Sequence, residues 1–371
     1  MWKALKLNNS SHDCSGRTRH LLSDAEKVNE YFAGISFSQF YNAENVTAFR
    51  PSSQSDCHDY HPVYAYEVEC MLSKVSKTAP GPDNLPYWIF KNCSYDLAEV
   101  IAHIFNCSLR SGVLPCQWLT AVITPAPKIS NPQNFSDFRP ISVTPLLSRV
   151  LEKFVTNRWL QPAIAAAGLI DDQFAFRRTG STTCALTYFM HHITRMLENN
   201  SFVRCLLVDL SKAFDRVDHV VLVQKLSKLK LPDYILNWLI SFLTGRSHTT
   251  RCFGTESSPL PINLSIVQGS VLGPSLYITL ESDLKPISNI NLIFKYADDT
   301  NLLVPECTDV QLCDEFDAIL KWAEVNKMIV NTSKTKEIVF RRPNPRLHVD
   351  VMPLHGIEQV NEVKLLGVIF F

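Results

Sequence analysis

Residues 294–304 read FKYADDTNLLV, two adjacent acids, Asp298 and Asp299, enclosed on both sides by strand-forming residues. Apolar and aromatic runs flanking so short an interruption ask for two strands joined by a tight turn. The paired charges at that turn have two explanations. Asp is a common turn former because its side chain bonds its own backbone, and surface hairpins often carry it. Alternatively the pair holds a divalent cation, since neighbouring carboxylates repel unless something positive lies between them. A cation needs further ligands, which must come from elsewhere in the chain.

One candidate ends the segment VRCLLVDLSKAFDRVDH, where 203–208 form a nearly continuous apolar run that closes on Asp209. Such a run fits a strand buried on both faces. An acid at its end is costly unless paired, and capping of the SKAF segment that follows suits Ser211 or Asp215 better. If this strand lies beside 291–297 in one antiparallel sheet, Asp209 meets Asp298 and Asp299. Two Mg2+ ions held there would lower the barrier of an in-line phosphoryl displacement, one at the attacking hydroxyl and one at the leaving oxygen. Two weaker elements join them. INLSIVQGSVLGPSLY (262–277) combines an apolar strand, Gln268 and Gly269, and Pro274 entering a helix, so that the backbone at Gly269 can approach a ligand closely. ITPAPKISNPQNFSDFRPISV (123–143) reads as two strands around a loop, with Lys128 and Arg139 as hairpin cations suited to a triphosphate. Taken alone, the first is a plain loop and the second a pair of surface charges.

The rest of the chain sets limits. With 371 residues, 46% hydrophobic and 19% charged, it is globular, of two or three lobes. No window approaches the ~18 to 20 apolar residues of a membrane span. The eleven cysteines are odd in number, scattered and without a CxxC pair, which reads as reduced thiols in an intracellular protein, cytoplasmic or nuclear. Zero net charge excludes a general electrostatic DNA coat and leaves local basic patches such as 225–230, 176–180 and 341–346. About sixty polar, turn-rich residues open the chain. Helical periodicity then marks Leu97, Val100, Ile101, Ile104 and Phe105, stopping at Gly112, and Leu147, Val150, Leu151, Phe154 and Val155, stopping before Pro162. It recurs at Leu186, Phe189, Ile193, Met196 and Leu197, and at Leu312, Phe316, Ile319, Leu320 and Ala323.

The order of these pieces resembles the reverse transcriptases of non-LTR retrotransposons, and the Jockey-like group in particular. The resemblance runs from about residue 65 to the end. It rests on KTAPGPDNLPYWIFK (77–91), PKISNPQNFSDFRPISVTPLLSRVLEK (127–153), DDQFAFRRTGSTTCAL (171–186), LLVDLSKAFDRVDH, VQGSVLGP, FKYADDT, VNTSKTKEIVF (330–340) and VKLLGVIF (363–370). A lone YADD is weak; these segments in this order are specific. The resemblance implies an α+β right-hand polymerase fold, fingers over 65–200 and palm over 201–371 after a polar extension over 1–64, with the reverse transcriptase domain at about 110–371. The antiparallel palm sheet would be backed by helices. It implies RNA-directed DNA synthesis with two Mg2+ ions, an RNA template, a DNA primer and deoxynucleoside triphosphates. Asp209 and Asp298 match the metal-binding pair and Asp299 the adjoining acid. Lys128 and Arg139 match the finger cations, Phe214 the bulky residue beneath the sugar, and Gln268 with Gly269 the loop touching the nascent base pair. Lys334 matches the lysine assigned to protonating pyrophosphate, and Tyr296 would brace the primer end.

Departures are Val267, where the family more often has Pro, and Glu281, in a helix that usually continues apolar, which is expected to face solvent or to mark decay. With no endonuclease segment before residue 65 and an end at LLGVIFF, where the family would begin its thumb, the chain is expected to be a fragment or a truncated copy. Two competing functions follow: a degenerate remnant that grips nucleic acid without catalysis, and a metal-dependent nuclease. The nuclease would use the same acids without needing Lys128, Arg139 or Phe214.

Overall fold

The structure is a computed structural model that describes residues 20–51, 60–177, 180–342 and 350–371. Along the chain its strands are β1 (Thr120–Pro127), β2 (Phe138–Val143), β3 (Phe202–Val208), β4 (Arg246–Cys252), β5 (Thr255–Glu256), β6 (Leu260–Ile262), β7 (Leu292–Tyr296), β8 (Asp299–Pro305), β9 (Lys336–Arg341), β10 (Glu358–Gln359), β11 (Val363–Leu365) and β12 (Val368–Phe370). The chain divides into two compact units, each made of two segments. One takes in the described residues of Met1–Ala163 with Phe214–Gly273, the other Ile164–Ala213 with Pro274–Phe371.

The second unit holds the expected sheet, in the order β10-β9-β3-β8-β7. Strands β7 and β8 form the hairpin, with Tyr296 opposite Asp299, so that Ala297 and Asp298 make the turn. Strand β3 is antiparallel to both β8 and β9. Its side chains alternate between two cores, which is why its sequence shows no polar face. Val203 and Cys205 pack with Phe189 and Ile193 of the helix Thr182–Leu197. Leu206 and Val208 pack with Leu312, Phe316 and Ile319 of the helix Leu312–Val325. Each such side chain removed from water contributes roughly 1.5–3 kcal/mol. Arg204 interrupts the run at no loss, because its guanidinium donates to the buried Glu337 carboxylate at 2.7 Å. The two helices follow the expected periodicity except at Leu320, which is exposed, and Ser181 caps the first by accepting from the Cys184 amide.

In the first unit β1 and β2 form the predicted antiparallel hairpin, β1 runs parallel to β4, and β6 pairs with β4. Polar composition hides one helix of this unit, Ala25–Ile35, whose Val28 and Phe32 pack on Ile123, Phe138 and Cys252. The helix Ser94–Ser111 ends at Gly112 (φ 61°) as its sequence predicts, but its buried stripe is Ala98, Ile101, Ala102, Phe105 and Leu109, and Val100 is 61% exposed. Pro162 does not stop the next helix. Leu146–Val155 passes through a π-type turn, Thr156–Leu160, into Gln161–Ala166, where proline in a first turn needs no N–H partner.

Gly269 is fixed by sterics. Its φ is +119° and an added Cβ would lie 2.4 Å from the Ser142 carbonyl oxygen, whereas an added Cβ on Gly34, inside a helix, meets nothing within 4 Å. The close neighbour of the Gly269 backbone is therefore the protein itself. Gly269→Ala should destabilise the chain by ~1–3 kcal/mol, and Gly34→Ala should stabilise it by ~0.4–1 kcal/mol. Denaturant midpoints of the two variants check both signs.

Candidate active site

The hairpin register answers why two acids share a turn. Val208 pairs with Thr300, so the next residue of the ladder's end, Asp209, stands across from Asp299. Residues 331–335, just before β9, bond to the Asp209 backbone: the Asp209 amide donates to Thr335 Oγ1 at 3.2 Å and the Asp209 carbonyl accepts from the Asn331 amide at 2.8 Å. The carboxylate itself is half-buried. Loss of water raises its pKa, the Asp298 charge adds to this, and the Lys334 ammonium and a hydrogen bond from Asn331 act against it. Asp299 is pushed up to about 6 by loss of surrounding water and then by the Asp298 and Asp209 charges, although its side chain reaches solvent. The three acids and Lys334 thus form one electrostatic cluster. Among the described residues no three His, Cys, Asp or Glu side chains are already spaced as a cation cage. Clustered hard oxygen donors, short of water and close to one another's charge, nevertheless fit Mg2+, which takes carboxylate oxygens and keeps much of its own water.

Asp209 has no capping role, and neither Ser211 nor Asp215 takes it. The residues after β3 form turns, and the helix that follows, His219–Leu226, is capped by Asp218, whose Oδ1 accepts from the Val220 and Val221 amides.

Glu281 neither faces solvent nor lies idle. It is 1% exposed, accepts from Thr300 Oγ1 at 2.6 Å, and lies near Lys295. Burial lifts its pKa to about 7, partly offset by Lys295 and the Thr300 hydroxyl and reinforced by Asp172 and Asp298. Lys295, 1% exposed, donates to the Glu281 and Leu284 carbonyls at 2.9 and 2.7 Å and pairs with Asp172 at 3.2 Å. Glu281, Thr300, Lys295 and Asp172 are therefore a polar support directly behind the β7–β8 hairpin, a role that no single residue type in the sequence announces.

The remaining expected residues belong to the first unit, except Tyr296, which lies in the second. Lys128 and Arg139 are both exposed near the loop end of the β1–β2 hairpin, where Arg139 pairs with Ala126. Lys128 Nζ donates to the Ser136 carbonyl at 2.8 Å. Gln268 donates from Nε2 to Asp215 Oδ1 at 2.6 Å, and its carbonyl accepts from the Ser142 amide at 2.8 Å, which pins the Gln268 and Gly269 loop to β2. Phe214 is partly buried, with its carbonyl accepting from the Ile266 amide at 2.8 Å. Tyr296, at the end of β7, is also partly buried.

An antiparallel sheet backed by helices, delivering carboxylates from adjacent strands to one end, is the α+β architecture of a polymerase palm. The chain belongs to the reverse transcriptase (RNA-dependent DNA polymerase) family, whose model matches residues 127–370. It is 31% identical over 287 residues to the RNA-directed DNA polymerase from mobile element jockey of Drosophila melanogaster, covering 74% of this chain and 31% of that protein. To the probable RNA-directed DNA polymerase from transposon BS of the same organism it is 29% identical over 316 residues, covering 81% of this chain and 35% of the relative. The chain thus spans about a third of the length of the curated relatives it matches. Among solved structures, a telomerase from Candida tropicalis in complex with a fragment of telomeric RNA superposes with a TM-score of 0.46 at 15% identity, covering 69% of this chain and 45% of that one.

The cluster has a pH signature. A raised carboxylate pKa means that the folded protein binds more protons than the unfolded chain between the ordinary value of 3.8 and about 6, so Asp299 costs stability progressively as pH rises through that window. A bound cation favours the ionised form and must expel the remaining proton. Adding Mg2+ at pH 6 should therefore release protons, release should fade by about pH 8, where the carboxylates are already ionised, and Asp299→Asn should diminish it. Calorimetry in buffers of different ionisation enthalpy measures this.

Proposed function

We propose that this chain catalyses RNA-directed DNA synthesis, adding deoxynucleotides to a primer 3′-hydroxyl on an RNA template. The observation that carries the proposal is the facing of Asp209 and Asp299 across β3 and β8, with Asp298 at the same hairpin turn. Family membership supports it, as does the presence of every residue the chemistry needs. Asp209, Asp298 and Asp299 would hold two Mg2+ ions, which when bound supply Lewis acidity toward the attacking and leaving oxygens. The chain's own residues do the rest. Lys334, whose charge acts on Asp209, is proposed to give a proton to departing pyrophosphate. Lys128 and Arg139 are proposed to neutralise triphosphate charge, Gln268 and Gly269 to border the nascent base pair, Tyr296 to brace the primer end, and Phe214 to fill the space a 2′-hydroxyl would need. We place the fingers at 65–200 and the palm at 201–371, and the protein inside the cell, where template and nucleotides are found. No helix among the described residues is long and apolar enough to cross a membrane.

Asp298→Asn tests the reading directly. Extension of a primer on an RNA template should fall by at least about 10³-fold, while template affinity stays within about twofold, because metal chemistry and backbone contact are separable. Asn is an equally good turn former, so retained extension would return the pair to plain turn chemistry. A wild-type chain that binds template–primer and extends nothing would point to the nucleic-acid-gripping remnant.

Sugar selection gives an independent check. Phe214→Val should raise the ratio of ribonucleotide to deoxyribonucleotide incorporation, at a cost of ~1–3 kcal/mol in stability from the lost ring. An unchanged ratio in the folded variant removes Phe214 from the sugar gate.

A further inference from the structure

The turn that presents Asp298 is held in an unfavourable conformation. Ala297 has φ 55°, in the left-handed region that a tight hairpin turn usually fills with Gly or Asn. A Cβ there crowds the following carbonyl oxygen, and such outliers persist only where the surroundings over-determine them.

A single side chain does so here. Gln173, 2% exposed, accepts at Oε1 from the Ala297 amide at 2.8 Å and donates from Nε2 to the Ala297 carbonyl at 3.1 Å. The same Oε1 accepts from the Ala175 amide at 3.0 Å. The amide orientation follows from its partners: two N–H donors face Oε1 and a carbonyl faces Nε2, and a flipped amide would oppose like with like. Both hydrogen-bonding ends of Gln173 thus reach one residue, the one immediately before Asp298, while Oε1 is also steadied by the Ala175 amide. The backbone on either side is tied as well. The Lys295 amide donates to the Asp172 carbonyl and the Phe174 amide to the Lys295 carbonyl, each at 2.9 Å, making a parallel bridge between Gln173 and Lys295. Below it Lys295 pairs with Asp172.

We propose that Gln173 is a positioning residue of the active site, locking Ala297 in its left-handed conformation so that Asp298 and Asp299 leave the hairpin aimed at Asp209. This rests on the polymerase reading for its kinetic consequence but not for its geometric one. Misplacement of a catalytic group by about 1 Å can cost on the order of 10²-fold in rate, whereas nothing in the Gln173 contacts touches nucleotide or template. The effect should therefore fall on kcat and on cation affinity, and spare KM.

Gln173→Met keeps the volume and removes all three side-chain hydrogen bonds, two to Ala297 and one to Ala175. In the full chain we expect hydrogen exchange at the Ala297 amide to accelerate at least about tenfold while the ladder amides of Leu302 and Leu303 keep their protection. In primer extension kcat should drop about 10- to 100-fold, with KM for deoxynucleotide and affinity for template–primer within about twofold. Mn2+ affinity, measured by electron paramagnetic resonance, should weaken at least about tenfold. Unchanged exchange at Ala297, or accelerated exchange with unchanged kcat and Mn2+ affinity, overturns the proposal. Loss of Leu302 and Leu303 protection together with Ala297 assigns Gln173 to general core stability and overturns it equally. If the wild type binds Mn2+ but extends no primer, the polymerase reading fails while the positioning role is decided by exchange and Mn2+ affinity alone; a wild type that binds no Mn2+ ends both.

Discussion

Strand β3 cannot slip by a single residue. Its odd-numbered side chains Val203 and Cys205 fill one core, and its even-numbered Leu206 and Val208 fill the other. A shift of one position would exchange the two sets and bury Arg204 in the wrong environment, away from Glu337. The same register fixes Asp209 one step beyond Val208, opposite Asp299. Hydrophobic packing on two faces therefore sets the geometry of a charged cluster that gains nothing from being charged. The raised pKa values of Asp209 and Asp299, caused first by loss of water and then by neighbouring charge, mean that their ionised forms cost folding free energy.

That cost is balanced behind the hairpin. Lys295 and Glu281 bring a positive and a negative group into the interior, with carbonyls and Thr300 satisfying what the ion pairing leaves open. One Glu281 oxygen, Oε2, still has no hydrogen-bond partner, and so this support is not optimised for stability alone. Removing the Lys295 charge would take the buried cation from beside both Asp172 and Glu281, which makes the group far more sensitive to that single substitution than to a concerted one.

Much of the second unit was legible in the sequence because strand and helix periods are written in single residues. The run 203–208, the two runs flanking Asp298 and Asp299, and the stripes ending at Leu197 and Ala323 all became elements near their expected bounds. The failures have a common origin. Glu281 was judged by the preference of an isolated acid for water, and its partners Thr300 and Lys295 come from a hairpin that sequence distance does not connect to its helix. Gln173 lay inside a recognisable segment, yet its role depends on the backbone conformation of Ala297, which an alanine does not advertise. The helix Ala25–Ile35 was obscured by its polar surroundings, and Pro162 was read as a stop because a π-type turn has no compositional mark. Local signals were readable; pairings across long stretches of chain were not.

The order of strands in the second sheet also has a consequence in time. Strand β3 is flanked by β8 and β9, whose residues Pro305 and Phe340 both pair with Val203. On a ribosome adding about 5–20 residues per second, β3 is complete roughly 5–20 seconds before β8 exists and longer before β9 does. Throughout that interval an apolar strand with two open edges has no native partner, the state in which strands join whatever other chain is near. Synthesis of this chain in a cell is therefore a race between its own later segments and its neighbours, and a chaperone that shields the first of those edges would do more for its yield than any added stability of the finished fold.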